Sequence, residues 1–449
     1  MQNVVIIGAG PTGLSTAYHL EQQNFFDYTL YEKQSSTGGL CGSVHQDGFT
    51  FDYTGHLLHI NDDYFKSFIE TVVGFKNLTT INRRSFIYSH NNYLPFPFQS
   101  NLYHLPKDLI IQCIDSFIKK PQTLKKNASF YEWALHQFGK GITDAFFVPY
   151  QEKIFAYDIH KISSSWTSRF VPKVTLKDIL EGAIQERKEQ QVGYNAQFFY
   201  PTQGGISFVF EKLTQQIQQT IKTDYCVESI DTKNKIVTFS NGDFQKYDTL
   251  VTTMPLDTLL HLLKTPGHIS FKTAQEKLLC NSVLNFNIGL NKKDLSNKHW
   301  IYLPEEQFPH YRLGFYHNMS PEMVPKNCSS LYGEIAFLPQ QKKNLQQTLE
   351  VARATTKKLL NFTQADIATE KVIEISHAYV IYDFWREKHL ASIHETLQSM
   401  NIYSIGRYGE WKYASMQEAI LDGKKMAEKI TEDALPKTEP FTREKVQQL

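Results

Sequence analysis

The chain has 449 residues, with 47 Lys+Arg against 46 Asp+Glu, a formal net charge of +1 at pH 7 and no long block of like charge. That balance gives no reason to expect a nucleic acid or an anionic membrane as partner, and the longest apolar runs fall short of the ~18 residues of a spanning helix. The five cysteines, Cys41, Cys113, Cys226, Cys280 and Cys328, are odd in number and scattered without a Cys-x-x-Cys pair, which argues against a disulfide framework or a zinc site.

Residues 4–7 form a buried-strand run that leads straight into Gly8-x-Gly10-x-x-Gly13, and residues 14–20 then take helical spacing. This order makes a phosphate cradle. Gly8 permits the sharp turn, Gly10 lets the backbone approach a pyrophosphate, and Gly13 lets the helix pack close with its first amides, around Thr12, facing the anion. A second strand, 28–31, ends in Glu32 and Lys33, and the Glu32 carboxylate suits the two hydroxyls of a ribose without a 2'-phosphate. Thr37-Gly38-Gly39-Leu40 adds a second glycine turn, placed as in the extended fingerprint of FAD flavoproteins, so FAD is expected rather than NAD. A cofactor strand starting at Asn3 leaves no room for a signal peptide, and a cytoplasmic protein without membrane insertion is expected. The oligomeric state is left open.

Phe49 to Tyr53 alternates as a strand and runs into Thr54-Gly55-His56-Leu57-Leu58-His59. His56 and His59 are three apart, and three readings stand: a metal pair, for which no further ligand lies nearby, a satisfied structural histidine, or a cofactor contact. Residues 86–88 and 93–94 read as a hairpin around a polar tip, and Pro95-Phe96-Pro97-Phe98-Gln99 presents an aromatic ring and an amide from a stiff support. From Lys107 the pattern is helical, with capping boxes predicted at Ser129–Glu132 and Thr175–Asp178. Gly204-Gly205-Ile206 is expected to open a helix through Ile221. Strands are expected at 236–239, 250–254, 282–290, 331–337, 372–381 and 402–406, with helices over 341–360 and 413–430.

The fold class implied is α/β: a Rossmann-type FAD-binding domain with a helical insertion and a second, mainly antiparallel β-sheet domain. The expected division is 1–75, 190–275 and 396–431 for the cofactor domain, 101–189 for the helical substrate domain, 76–100 and 276–395 for the sheet domain, and 432–449 as a tail.

Taken together, Gly38-Gly39-Leu40, Asp52 through His56, Pro95 through Gln99, Trp300 through Pro304, Tyr311-Arg312, and Gly406-Arg407-Tyr408-Gly409 with Trp411 and Tyr413 resemble the UDP-galactopyranose mutase family, its eukaryotic branch more than its bacterial one. The resemblance runs from Asn3 to about residue 430. It implies an isomerase that interconverts UDP-galactopyranose and UDP-galactofuranose by attack of reduced flavin N5 on the anomeric carbon, with no net redox change. The reductant is external, NADPH being one candidate. It further implies that His56 and Arg407 lie beside the flavin, with Gly55, Gly406 and Met416 among the cofactor contacts. Phe98, Gln99, Phe146 and Tyr150 would form the uridine pocket, with Gln151 a further substrate contact. Arg169 and Arg312 would grip the pyrophosphate, and Asn195, Tyr302, Tyr382 and Tyr413 would surround diphosphate and sugar. The chain departs from the family pattern at Thr54, where a backbone-permissive residue is usual, at Gln151, Phe155 and Ser415, and at 378–383. The competing readings are an FAD oxidoreductase of the amine oxidase or protoporphyrinogen oxidase type, a mutase for another nucleotide sugar, and a binder without catalysis.

Overall fold

The computed structural model describes residues 3–167, 171–187, 196–264, 269–341 and 344–434. Arg169 and Asn195 lie outside them.

The cofactor sheet has five parallel strands in the order Ile402–Ser404, Thr249–Thr252, Val4–Ile7, Tyr28–Tyr31, Ile221–Lys222. Val4–Ile7 sits in the middle, and its side chains alternate between two hydrophobic clusters, Val4 and Ile6 in one, Val5 and Ile7 in the other. A parallel strand covered on both faces needs such a continuous apolar run. The helix Pro11–Gln22 crosses from the first strand to the second and packs on the last helix, Met416–Ala434. The approach is tight: a Cβ at Gly423 would stand 2.6 Å from the Ser15 Cβ, and Ser15 Oγ donates to the Ile420 carbonyl at 2.6 Å.

A second sheet has seven strands in the order Ile367–Ile375, Ser282–Leu290, Ser329–Phe337, Arg312–Gly314, Trp300–Tyr302, Ser85–Ser89, Asn92–Pro95. All neighbours are antiparallel except Trp300–Tyr302 and Ser85–Ser89, so the expectation of a mainly antiparallel sheet holds. Two of its three nine-residue strands, Ser282–Leu290 and Ser329–Phe337, are buried at every position, yet they are not apolar throughout. Leu284, Phe286, Ile288, Leu331, Ile335 and Phe337 pack on one face with Leu349 and Ala352 of the helix Leu345–Leu360. The period of two sends Asn285, Asn287, Tyr332 and Glu334 to the other face, which is where the candidate site lies.

The helical insertion contains Lys107–Ile118, Phe130–Ile142, Val148–Phe155 and Leu176–Ile184. Both predicted capping boxes are formed, at Ser129 with Glu132 and at Thr175 with Asp178. Gly139 interrupts its helix at φ +73°, and a Cβ there would meet the Ser116 carbonyl at 2.2 Å, so two helices cross where only glycine fits. A π-helical turn, Thr143–Phe147, follows.

Several boundaries differ from the sequence reading, among them the helix expected over 341–360, which is Leu345–Leu360, and the strand expected at 402–406, which is Ile402–Ser404. The helix after Gly205 is Ser207–Thr214, and Ile221–Lys222 is an edge strand because it can pair with Leu30 and Tyr31. The strand expected at 372–381 is Ile367–Ile375, registered along Val283 to Leu290 with a bulge between Gly289 and Leu290. The last helix begins at Met416, with Ser415 accepting from the Glu418 amide at 3.4 Å.

Candidate active site

The two glycine turns meet back to back. Gly39 has φ +55°, and a Cβ on it would stand 3.2 Å from the Gly10 Cα, while the Gly38 amide donates to the Ala9 carbonyl at 2.8 Å. A Cβ at Gly13 would stand 1.9 Å from the Gly8 carbonyl oxygen, which is why the helix can begin so close to the strand. That helix has Gly10 as N-cap, no side-chain cap and no acidic residue in its first turn, so no carboxylate competes there with an incoming anion. Thr12 is buried, and Gly406, at φ +77°, packs where a Cβ would meet Thr12 Oγ1 at 2.5 Å. These contacts leave a cradle shaped for a pyrophosphate, and the residues fit FAD.

Glu32 is buried at the end of its strand and accepts from the Ala9 amide at 2.7 Å and the Gln34 amide at 2.9 Å. Lys33 is exposed, and Leu40 packs against the helical core. Met416 buries its side chain in the cluster with Leu58, Phe65, Phe210 and Ile420, so what it can offer a cofactor is its backbone amide.

After Asp52 the chain turns through Thr54, at φ +80°. For a β-branched residue that is strained backbone. Gly55 follows, where a Cβ would stand 2.1 Å from the Tyr332 hydroxyl. His56 comes next, and its buried Nδ1 has no hydrogen-bond partner among the described residues. Burial, with Arg407 and Arg312 close enough to repel a proton, lowers the His56 pKa to about 4. His56 is therefore neutral near pH 7, a hydrogen-bonding group between two cations.

Arg312 and Glu334 are cross-strand partners and form a two-point ion pair, Nε to Oε2 at 2.5 Å and Nη2 to Oε1 at 2.7 Å. Arg407 donates from Nη1 to the Ala414 carbonyl at 2.8 Å and from Nη2 to the Ala378 carbonyl at 3.3 Å, with the rings of Tyr379, Tyr408 and Tyr413 around it at 5.6 to 5.9 Å. Tyr413 packs on Tyr382 at 4.5 Å between ring centroids, its amide donates to the Tyr382 hydroxyl at 2.9 Å, and its own hydroxyl donates to the Val380 carbonyl at 2.8 Å.

Phe98, Phe146 and Tyr150 form a parallel stack, with centroids 5.1 and 5.3 Å apart, and Tyr302 meets Tyr150 edge-on at 5.3 Å. The π-helical turn sets Phe146 into this column. Gln99 is buried and donates to the Pro172 carbonyl at 2.8 Å, whereas Gln151 Oε1 is buried without a partner among the described residues. The described site residues thus fall into three joined groups: the glycine cradle with Glu32, the cationic group of His56, Arg312 and Arg407, and the aromatic column leading to Tyr302. Sequence reasoning missed Tyr332 and Glu334. Their signal was the period of two, which puts both on the face opposite Leu331, Ile335 and Phe337.

No helix among the described residues is long and apolar enough to cross a membrane, and no group of three or more His, Cys, Asp or Glu there could hold a metal. The chain is 27% identical to reduced UDP-galactopyranose mutase, whose crystal structure superposes over 97% of both chains with a TM-score of 0.91. The CLA-producing fatty acid isomerase from P. acnes shares the fold at 14% identity, with a TM-score of 0.67 over 95% of this chain and 98% of that one. Coproporphyrinogen III oxidase of Staphylococcus aureus is 24% identical over 329 residues, covering 66% of this chain and 69% of that protein. A profile of flavin containing amine oxidoreductases matches residues 11–431. With that match over nearly its whole length, the chain belongs to the flavin containing amine oxidoreductase family, and FAD is its cofactor.

Proposed function

We propose that the protein is a nucleotide-sugar mutase that interconverts UDP-galactopyranose and UDP-galactofuranose. The observation that carries this reading is the likeness to reduced UDP-galactopyranose mutase over 97% of both chains. Fold alone does not choose between mutase and oxidase chemistry, but the cationic group supports a diphosphate ligand.

When bound and reduced, FAD supplies a nucleophilic N5. The residues of this chain bind, orient and stabilise charge. Arg312 is fixed by Glu334 through Nε and one N–H of Nη2, which leaves both N–H groups of Nη1 and the second of Nη2 for phosphate oxygens. Arg169 is proposed as the second arginine of the diphosphate grip, and Asn195 as its neighbour. Neutral His56 adds a hydrogen-bonding group without a third positive charge. Phe98, Phe146 and Tyr150 provide a wall against which uracil packs, with Gln99 as its polar partner and Gln151 a further substrate contact. Tyr302, Tyr382 and Tyr413 border the sugar and diphosphate. The reductant comes from outside the chain, with NADPH as the candidate.

The second reading, an FAD-dependent oxidoreductase, draws on the likeness to coproporphyrinogen III oxidase. One experiment separates the two: UDP-galactopyranose incubated with oxidised and with dithionite-reduced protein, with products resolved by chromatography. The mutase gives many turnovers per flavin only after reduction. Turnover by the oxidised protein, or oxygen consumed in proportion to product, establishes the oxidoreductase.

A further inference from the structure

Asp52 carries more hydrogen bonds than its position in a hairpin requires. It is fully buried, and its charge is held by hydrogen bonds. Oδ1 accepts from Ser43 Oγ at 2.6 Å and from the Ile206 amide at 3.1 Å, and Oδ2 accepts from the Tyr200 hydroxyl at 2.5 Å. Its main-chain carbonyl accepts from the Tyr316 hydroxyl at 2.8 Å, the Asn285 side chain at 3.3 Å and the Thr54 amide at 2.9 Å. Ser43 Oγ in turn accepts from the Ser207 amide at 3.1 Å. The packing is close enough that a Cβ at Gly205 would meet Ser43 Oγ at 2.4 Å and Asp52 Oδ1 at 2.7 Å.

These partners are the supports of the cofactor cradle. Ser43 follows the turn Gly39–Cys41 by one residue, Gly42, and Gly39 of that turn abuts Gly10. On the other side, Thr54 holds its strained φ two residues after Asp52, and His56 presents an unpartnered Nδ1 two residues later. Strained backbone persists only where its surroundings over-determine it, and the six hydrogen bonds at residue 52 do so. Burial raises the Asp52 pKa to about 6 against the hydrogen bonds that hold its charge.

We propose that Asp52 is a positioning residue for the flavin: its carboxylate clamps the exit of the second glycine turn, the Thr54–His56 turn and the start of the helix Ser207–Thr214 into one fixed shape. This holds under either reading of the substrate.

The test compares Asp52→Asn and Tyr200→Phe with Tyr28→Phe. Tyr28 lies in the five-stranded parallel sheet and also donates to a buried carboxylate, Glu21 at 2.6 Å, but belongs to no cofactor turn. Asp52→Asn and Tyr200→Phe are expected to raise the Kd for FAD about tenfold, the size of one lost buried charged hydrogen bond. In the FAD-loaded fraction they also shift the visible flavin bands and the flavin midpoint potential. Tyr28→Phe lowers the Tm and leaves bands and potential in place. If Asp52→Asn does not fold, Tyr200→Phe decides, because it changes no shape and keeps the Ser43 and Ile206 bonds. A folded Tyr200→Phe protein with parental Kd, spectrum and potential overturns the proposal, as does a change in Tm alone.

Discussion

Arg312 and Glu334 face each other across adjacent antiparallel strands, and the arginine's side chain, 19% exposed, closes over a carboxylate that is 1% exposed. Breaking a buried pair on one side strands the other charge, at about 3–5 kcal/mol. Glu334→Ala and Arg312→Ala should therefore each lower stability by that order in urea unfolding, and the double variant should lose less than the sum. Arg312→Ala should in addition weaken UDP binding or slow turnover by about 2–5 kcal/mol, read by calorimetry and assay. Parental UDP affinity in Arg312→Ala would show that the diphosphate sits elsewhere.

The purified protein should be yellow, with flavin at about one per chain. Glu32→Ala removes an acceptor from the Ala9 and Gln34 amides, each bond contributing about 1 kcal/mol, and should release FAD on gel filtration. Gly39→Val should do the same more severely, because its Cβ is directed at the Gly10 backbone. The ratio of visible to protein absorbance reads both.

His56 should be neutral throughout the range where the protein is handled. Its pKa falls from 6.5 in the unfolded chain to about 4 in the fold, so between these values the unfolded state binds more protons. The stability this contributes is complete above pH 6.5 and is lost as the pH falls toward 4. Asp52 runs the opposite way, since a carboxyl raised to about 6 loses stability as the pH rises from 3.8. Comparing parent with His56→Gln at pH 7.5 and 5.0 isolates the histidine: the parent should lose more stability at the lower pH, and equal losses would contradict the burial of its ring.

Arg407→Lys keeps the charge and loses the fork. A lysine cannot span the carbonyls of Ala414 and Ala378 together, and a charged hydrogen bond of this kind contributes about 1.5–3 kcal/mol. The variant should unfold several degrees lower and hold FAD less tightly, measured by thermal melts followed at the flavin bands.

Local chemistry was legible in the sequence. The glycine cradle, the Glu32 acid and the capping boxes at Ser129 and Thr175 are each set within a few residues, and each lies where the spacing put it. What depended on distant partners was not. Ile221 continues a helical pattern but pairs with Leu30, which lies nearly two hundred positions earlier in the chain. Residues 372–381 are apolar enough for one strand, yet the register along Ser282–Leu290 ends at Ile375, and Val380 forms only an isolated bridge to Cys280. The π-helical turn that aims Phe146 has no sequence signature of its own, and Glu334 looks misplaced until Arg312 is set opposite it.

The central position of Val4–Ile7 also sets the order in which the parts of the cradle become available during synthesis. Its neighbours come from residues 28 and 249 onward, the sheet's far edge from residue 402, and the helix that closes on Ser15 from residue 416. At roughly 5–20 residues per second, about 20–80 s of synthesis separate the first strand from the last segments it needs. During that interval the glycine turn leaves the ribosome without Gly406 or the closing helix beneath it, and two apolar strand edges wait unpaired. The cradle is therefore complete, with Gly406 against Thr12 and the last helix against Ser15, only once the chain beyond residue 416 has been made.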